Sequence, residues 1–62
     1  MSFAVLGSTT INLAQVERYD WHYETAIKKV LITIFWNTGR KPTQFLIKPQ
    51  NLVKFATIIK SN

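Results

Sequence analysis

The sequence predicts a small α+β domain, in which an antiparallel β-meander of about four strands precedes one C-terminal amphipathic helix. The chain has 62 residues, 47% of them apolar and none of them cysteine, so it can form a core but no disulfide. Up to Lys48, apolar residues alternate or form β-branched runs, whereas after Pro49 they recur at helical spacing. Residues 1–62 are therefore predicted to form a single domain.

The N-terminal region is predicted to be a series of short extended pieces. Phe3–Leu6 reads as a strand and is followed by a polar turn over Gly7–Thr10. Ile11–Leu13 reads as a second, shorter extended piece, and Ala14–Gln15 as a bend.

Val16–Glu24 is predicted to be a half-buried antiparallel strand. Side chains alternate across a strand with a period of two. One face would carry Glu17, Tyr19, Trp21 and Tyr23, and the other Arg18, Asp20, His22 and Glu24. Aromatic side chains therefore lie opposite charged ones, which is typical of a sheet with one solvated face.

The strongest strand signal lies in Lys29–Trp36, which follows a connection over Thr25–Lys28. This segment is β-branched or aromatic nearly throughout. Neither face is clearly polar, so we expect a central strand that is covered on both sides. A hairpin loop over Asn37–Pro42 then leads into a strand over Thr43–Lys48.

The C-terminal segment changes to helical periodicity, and we expect a helix over Pro49–Lys60. Proline suits the first turn of a helix, where its missing N–H costs nothing. The apolar side chains follow the spacing of an amphipathic helix, at Leu52, Phe55, Ala56 and Ile59. A helix of about 12 residues is marginal alone, so it must dock on the sheet.

One short helix covers one face of a sheet, so the second apolar face predicted for Lys29–Trp36 needs another cover. The sheet could close into a barrel, the N-terminal segment could fold across it, or a second copy could pack there. We expect a homo-oligomer, with a dimer favoured, because large exposed apolar patches often mark interaction sites. The expected interface or core anchors are Trp21, Leu31, Phe35 and Trp36.

The residues that could support catalysis or metal binding are few. Asp20, His22 and Glu24 alternate on one strand face, but the chain has no second histidine and no nucleophile with a neighbouring base. Only two glycines are present, so no phosphate-binding loop is expected. We therefore expect a non-enzymatic chain with no cofactor, no metal and no small-molecule substrate.

The positive charge suggests an alternative function. The formal net charge is +5, and a basic surface attracts nucleic acid through phosphate contacts. The expected phosphate contacts are Lys28, Lys29, Arg40 and Lys41, with Tyr19, Tyr23 or Trp21 stacking on bases. The first hypothesis is thus a self-associating protein-interaction module, and the second is a nucleic-acid-binding protein.

The sequence carries no stretch long enough for a membrane helix. The longest apolar stretch, Val30–Trp36, falls far short of the roughly 20 residues that a membrane helix needs. We expect a cytoplasmic chain without a membrane partner.

Overall fold

A computed structural model describes residues 2–61 of the chain. The elements are, in order, β1 (Phe3–Leu6), β2 (Thr9–Asn12), a 3-10 turn (Leu13–Gln15), β3 (Val16–Glu24), β4 (Lys29–Trp36), β5 (Thr43–Ile47) and α1 (Pro49–Ser61). The strands form two antiparallel sheets, the hairpin β1–β2 and the meander β3–β4–β5. The predicted α+β class is confirmed, with five strands instead of about four.

The N-terminal hairpin is tighter than the sequence predicted. Leu6 pairs with Thr9, so the loop is only Gly7 and Ser8, and the predicted polar turn is wrong in its second half. β2 starts at Thr9 because β-branched residues favour strands. Gly7 adopts φ +63°, a left-handed conformation that glycine reaches without steric cost.

The core lies on one side of the meander, which we call its inner face. Val30, Ile32 and Ile34 are at most 2% exposed there. Both α1 and the β1–β2 hairpin pack on this face. The buried side chains that these two elements contribute are Ala4, Leu6, Ile11 and Phe55, and the 3-10 turn adds Leu13. The apolar stripe predicted for the helix is therefore confirmed as its packing side.

The opposite side of the meander, which we call its outer face, is not covered by any element of residues 2–61. Leu31, Thr33 and Phe35 are half-buried there by neighbouring side chains. The Arg18 guanidinium lies 3.6 Å from the Phe35 ring centroid. Within one copy, β4 is thus covered on its inner face alone, and cover of the outer face by a second copy stays a prediction. The N-terminal segment shares the inner face with α1, and the meander remains an open sheet.

Strand β3 forms one edge of the meander and carries a bulge near its start. Val16 pairs with Trp36 and Arg18 with Phe35, so Glu17 is an extra residue. From Arg18 to Glu24 the pairing with β4 is regular. The predicted half-burial of the aromatic face holds for Tyr19 alone, since the two aromatic residues that follow it on that face are exposed.

Candidate interaction surfaces

Three aromatic side chains form a row on edge strand β3, on the inner-face side of the meander. We call Tyr19, Trp21 and Tyr23 the aromatic edge. Tyr19 packs edge-on against Phe55 of α1, with ring centroids 5.1 Å apart. Trp21 is 56% exposed and Tyr23 40% exposed. The edge therefore presents two large aromatic side chains to solvent beside one that is anchored in the fold.

An apolar groove of about 340 Å³ separates the aromatic edge from the helix, and we call it the β3–α1 groove. Its lining residues are Tyr19, Trp21, Leu52, Val53, Ala56, Thr57 and Lys60. Val53 on the helix wall is 65% exposed. The groove thus joins exposed apolar side chains from a strand and from a helix.

The four predicted interface anchors lie in three different places. Trp21 belongs to the aromatic edge, whereas Leu31 and Phe35 lie on the outer face. Trp36 is only 9% exposed and belongs to the core, where its Nε1–H donates to Thr43 Oγ1 at 3.0 Å. The four residues therefore do not form a common patch.

The outer face combines apolar and charged side chains. Leu31 lies between His22 and Leu46 in the sheet register, and Leu46 is 53% exposed. Gln44 Nε2 donates to Thr33 Oγ1 at 3.4 Å on the same face. This face is a second, more polar candidate surface.

Two of the three acidic residues of β3, Asp20 and Glu24, form exposed pairs with neighbours on the same face of the strand. Arg18 Nη1 lies 2.8 Å from Asp20 Oδ2, and His22 Nε2 lies 3.5 Å from Glu24 Oε1. Among residues 2–61, no group of three metal-ligating side chains comes together. In one copy, each of these four side chains therefore lies beside a polar neighbour two residues away on β3.

The predicted phosphate contacts occupy opposite ends of β4. Lys28 and Lys29 lie at its start, and Arg40 and Lys41 lie in the loop that follows it. Eight strand residues span about 26 Å, so the two pairs do not form one compact patch. The guanidinium of Arg40 lies 4.3 Å from the ring centroid of the core residue Trp36.

Positive and negative charges are separated along the chain. All three acidic residues, Glu17, Asp20 and Glu24, belong to β3. Residues 25–62 contain seven of the eight lysines and arginines and no acidic residue. In the described part of the chain, none of those seven cations forms a salt bridge.

A second cleft, of about 380 Å³, lies between the β1–β2 hairpin and β5. Phe3, Phe45 and Thr43 contribute to its walls, and Arg40 is its one charged residue. Because the Arg40 guanidinium already stacks on Trp36, this cleft has less apolar character than the β3–α1 groove.

Comparisons of the chain with protein families, with curated proteins and with solved structures find no match. Within residues 2–61, no helix has the length and apolar character needed to cross a membrane.

Sequence reasoning missed Val53 and Leu46 as candidate contact residues. Val53 lies at the rim of the apolar stripe of α1, so helical periodicity alone left it unassigned. Leu46 alternates with Phe45 and Ile47 on β5, which places it on the outer face. The exposure of Leu46 follows only from the strand order, and that of Val53 only from the way α1 packs on the sheet.

Proposed function

We propose that this chain is a non-catalytic binding module that acts through protein–protein contact, and that its first partner is a second copy of itself. The observation that carries this proposal is the position of Trp21 and Tyr23. Both are exposed on an edge strand, beside an apolar groove whose helix wall carries the exposed Val53. Contiguous exposed apolar surface of this kind marks interaction sites on small domains.

The residue types also support a contact surface. Tryptophan and tyrosine are enriched among the residues that dominate interface energies, because they bury large rings with few rotatable bonds. A domain below about 70–80 residues gains little from its own core, so burial against a partner adds usefully to its stability. Trp21 and Tyr23 are available for such burial.

The aromatic edge is a better contact surface than the outer face. On the outer face, the Arg18 guanidinium already lies over Phe35, and Leu31 is half-buried. Burial of a partner there would also desolvate the exposed ion pair between Arg18 and Asp20, which carries a cost. On the aromatic edge, the exposed side chains of Trp21 and Tyr23 are uncharged, so their burial desolvates no ion pair of their own.

Sedimentation equilibrium tests self-association. We expect the mass to rise from the 7.2 kDa monomer towards twice that value. Concentrations from about 1 µM to about 1 mM cover the range of weak interfaces. Trp21→Ala should weaken the dimer at least about tenfold, because a buried aromatic anchor is lost.

Leu46→Ala is the matched control, since Leu46 is 53% exposed against 56% for Trp21 but lies on the outer face. It should leave the dimer unchanged. If Leu46→Ala weakens the dimer and Trp21→Ala does not, the outer face is the contact surface. A wild-type chain that stays monomeric throughout refutes self-association.

A second candidate function, nucleic-acid binding, is supported by the acid-free stretch of residues 25–62 with its seven cations. Fluorescence anisotropy with a labelled single-stranded oligonucleotide at about 50 mM salt tests it, because phosphate contacts weaken steeply as salt rises. The double substitution of Arg40 and Lys41 by glutamine should reduce such binding. Absence of binding at that salt concentration removes this function.

A further inference from the structure

The regular part of β3 is symmetric about Trp21. Tyr19 and Tyr23 flank it on the aromatic edge. On the outer face, basic and acidic residues alternate in the order Arg18, Asp20, His22, Glu24. When a second copy of the strand runs in the opposite direction, centred on Trp21, each basic residue of one copy therefore lies opposite an acidic residue of the other.

We propose that two copies of the chain pair their β3 edges antiparallel, centred on Trp21, and thereby form a continuous six-stranded sheet. This inference rests on the proposed self-association and specifies its geometry. The free edge of β3 supplies the backbone N–H and C=O groups, since β3 pairs with β4 on its other side.

This register matches the side chains on both faces of the joined sheet. On the outer face, Arg18 lies opposite the partner's Glu24, and Asp20 lies opposite the partner's His22. On the other face, the two Trp21 side chains meet, and Tyr19 lies opposite the partner's Tyr23. Directly opposed residues are close neighbours in antiparallel sheets, so every one of these pairs is a contact.

The other registers are less favourable. Centring on Asp20 would oppose two aspartates and set Arg18 against the partner's His22. Centring on His22 would set Asp20 against the partner's Glu24. If the register shifted by one residue, the aromatic face of one copy would continue into the charged face of the other, so aromatic side chains would lie opposite charged ones. Exposed charge pairs add little affinity. We therefore infer that burial of the aromatic side chains stabilises the dimer, whereas the charged pairs select its register.

The twofold axis of this dimer runs perpendicular to the sheet, so both α1 helices lie on the same side. The two β3–α1 grooves then face each other across the seam, with both Trp21 side chains between the helices. The exposed Val53 on each helix wall lines this joint space. The pairing therefore covers Trp21 and Tyr23, the two aromatic side chains of β3 that a single copy leaves exposed.

Opposite charge reversals test the register. A dimer of Arg18→Glu chains places glutamate against glutamate twice, and a dimer of Glu24→Arg chains places arginine against arginine twice. We expect each variant alone to dimerise about tenfold more weakly, since two cross-strand pairs change from attractive to repulsive. An equimolar mixture of the two should recover wild-type affinity, because both pairs are again opposite in charge.

Lys41→Glu, which makes the same change in net charge as Arg18→Glu but lies outside β3, is the control and should leave the dimer unchanged. Circular dichroism establishes that each variant is folded. If either variant unfolds, the pair Asp20→Lys and His22→Glu replaces it, with the same expected recovery on mixing.

The outcomes separate the two proposals. A dimer that forms normally in every variant, or a mixture that fails to recover, overturns the β3 pairing while self-association stands. A wild-type chain that never exceeds the monomer mass overturns both.

Discussion

The two edge strands of the meander differ in how they are protected. β5 has five residues, lies directly between Pro42 and Lys48, and is followed by Pro49 at the start of α1. β3 has nine residues and contains neither proline nor lysine. Natural sheets limit edge pairing with short strands, proline, lysine and bulges. β5 is short and flanked by proline and lysine, whereas β3 has a bulge at Glu17 but a regular edge from Arg18 to Glu24. The meander therefore has one well-protected edge, β5, and one less protected edge, β3.

The two edges are also attached to the core in different ways. β3 is held to α1 by the edge-on contact between Tyr19 and Phe55. β5 is held to β4 partly by the hydrogen bond from Trp36 Nε1 to Thr43 Oγ1. Substitutions that remove each attachment test the two edges separately.

The largest effect is expected from Phe55→Ala, which removes the aromatic partner of Tyr19. Phe55 is 1% exposed, and loss of such a ring costs about 3–5 kcal/mol. That cost equals the whole stability expected of a core this small, about 3–5 kcal/mol, so the chain should be largely unfolded at 25 °C.

Thermal and urea denaturation at low micromolar concentration measure this loss. Val53→Ala on the same helix is the control, and since Val53 is 65% exposed it should change stability by no more than about 0.5 kcal/mol. Equal stability of the two variants would contradict the role of Phe55 as the anchor of the β3 side.

A smaller effect is expected from Thr43→Val at the other edge. The substitution keeps the shape of the side chain but removes the acceptor for Trp36 Nε1–H. A buried donor left without a partner costs about 1–3 kcal/mol. Urea denaturation should show this loss, whereas Thr33→Val, which removes the exposed 3.4 Å bond from Gln44, should cost clearly less. A Thr43→Val chain as stable as wild type would show that water replaces Thr43 at the indole.

The elements with strong local periodicity could be predicted from the sequence. β4 and α1 were found almost at their observed bounds, because a β-branched run and an i, i+3, i+4, i+7 stripe are local patterns. The predicted hairpin turn begins at the right residue but extends two residues too far, since Thr9 and Thr10 are polar and suit both a turn and a strand. That β1 and β2 form a sheet separate from the meander could not be predicted, because it depends on tertiary packing and not on the periodicity of the sequence.

The exposure of the aromatic edge could not be predicted for a related reason. Alternation shows that Tyr19, Trp21 and Tyr23 share a face, but it does not show how far along the strand the helix reaches. In the fold, α1 meets Tyr19 and leaves Trp21 and Tyr23 exposed. The symmetry of β3 about Trp21 is present in the sequence, yet it gains meaning only once β3 is known to be an edge.

The comparison of the two edges is sharpened by amide hydrogen exchange at two protein concentrations. In one copy, alternate amides of residues 18–24 point away from β4 and lack a strand partner. When nine-tenths of the chains are dimeric, these amides should exchange about tenfold more slowly, since exchange proceeds through the remaining monomer. The matched control is the set of β5 amides that point away from β4, since they lack a strand partner in one copy and in the proposed dimer alike, and their exchange should not slow. The comparison is confined to these outward amides of both edges, because amides bonded to β4 also slow when dimerisation stabilises the fold. An equal slowing of both edges, or a slowing confined to residues 43–47, would assign the contact to another surface and leave the open edge of β3 without a partner.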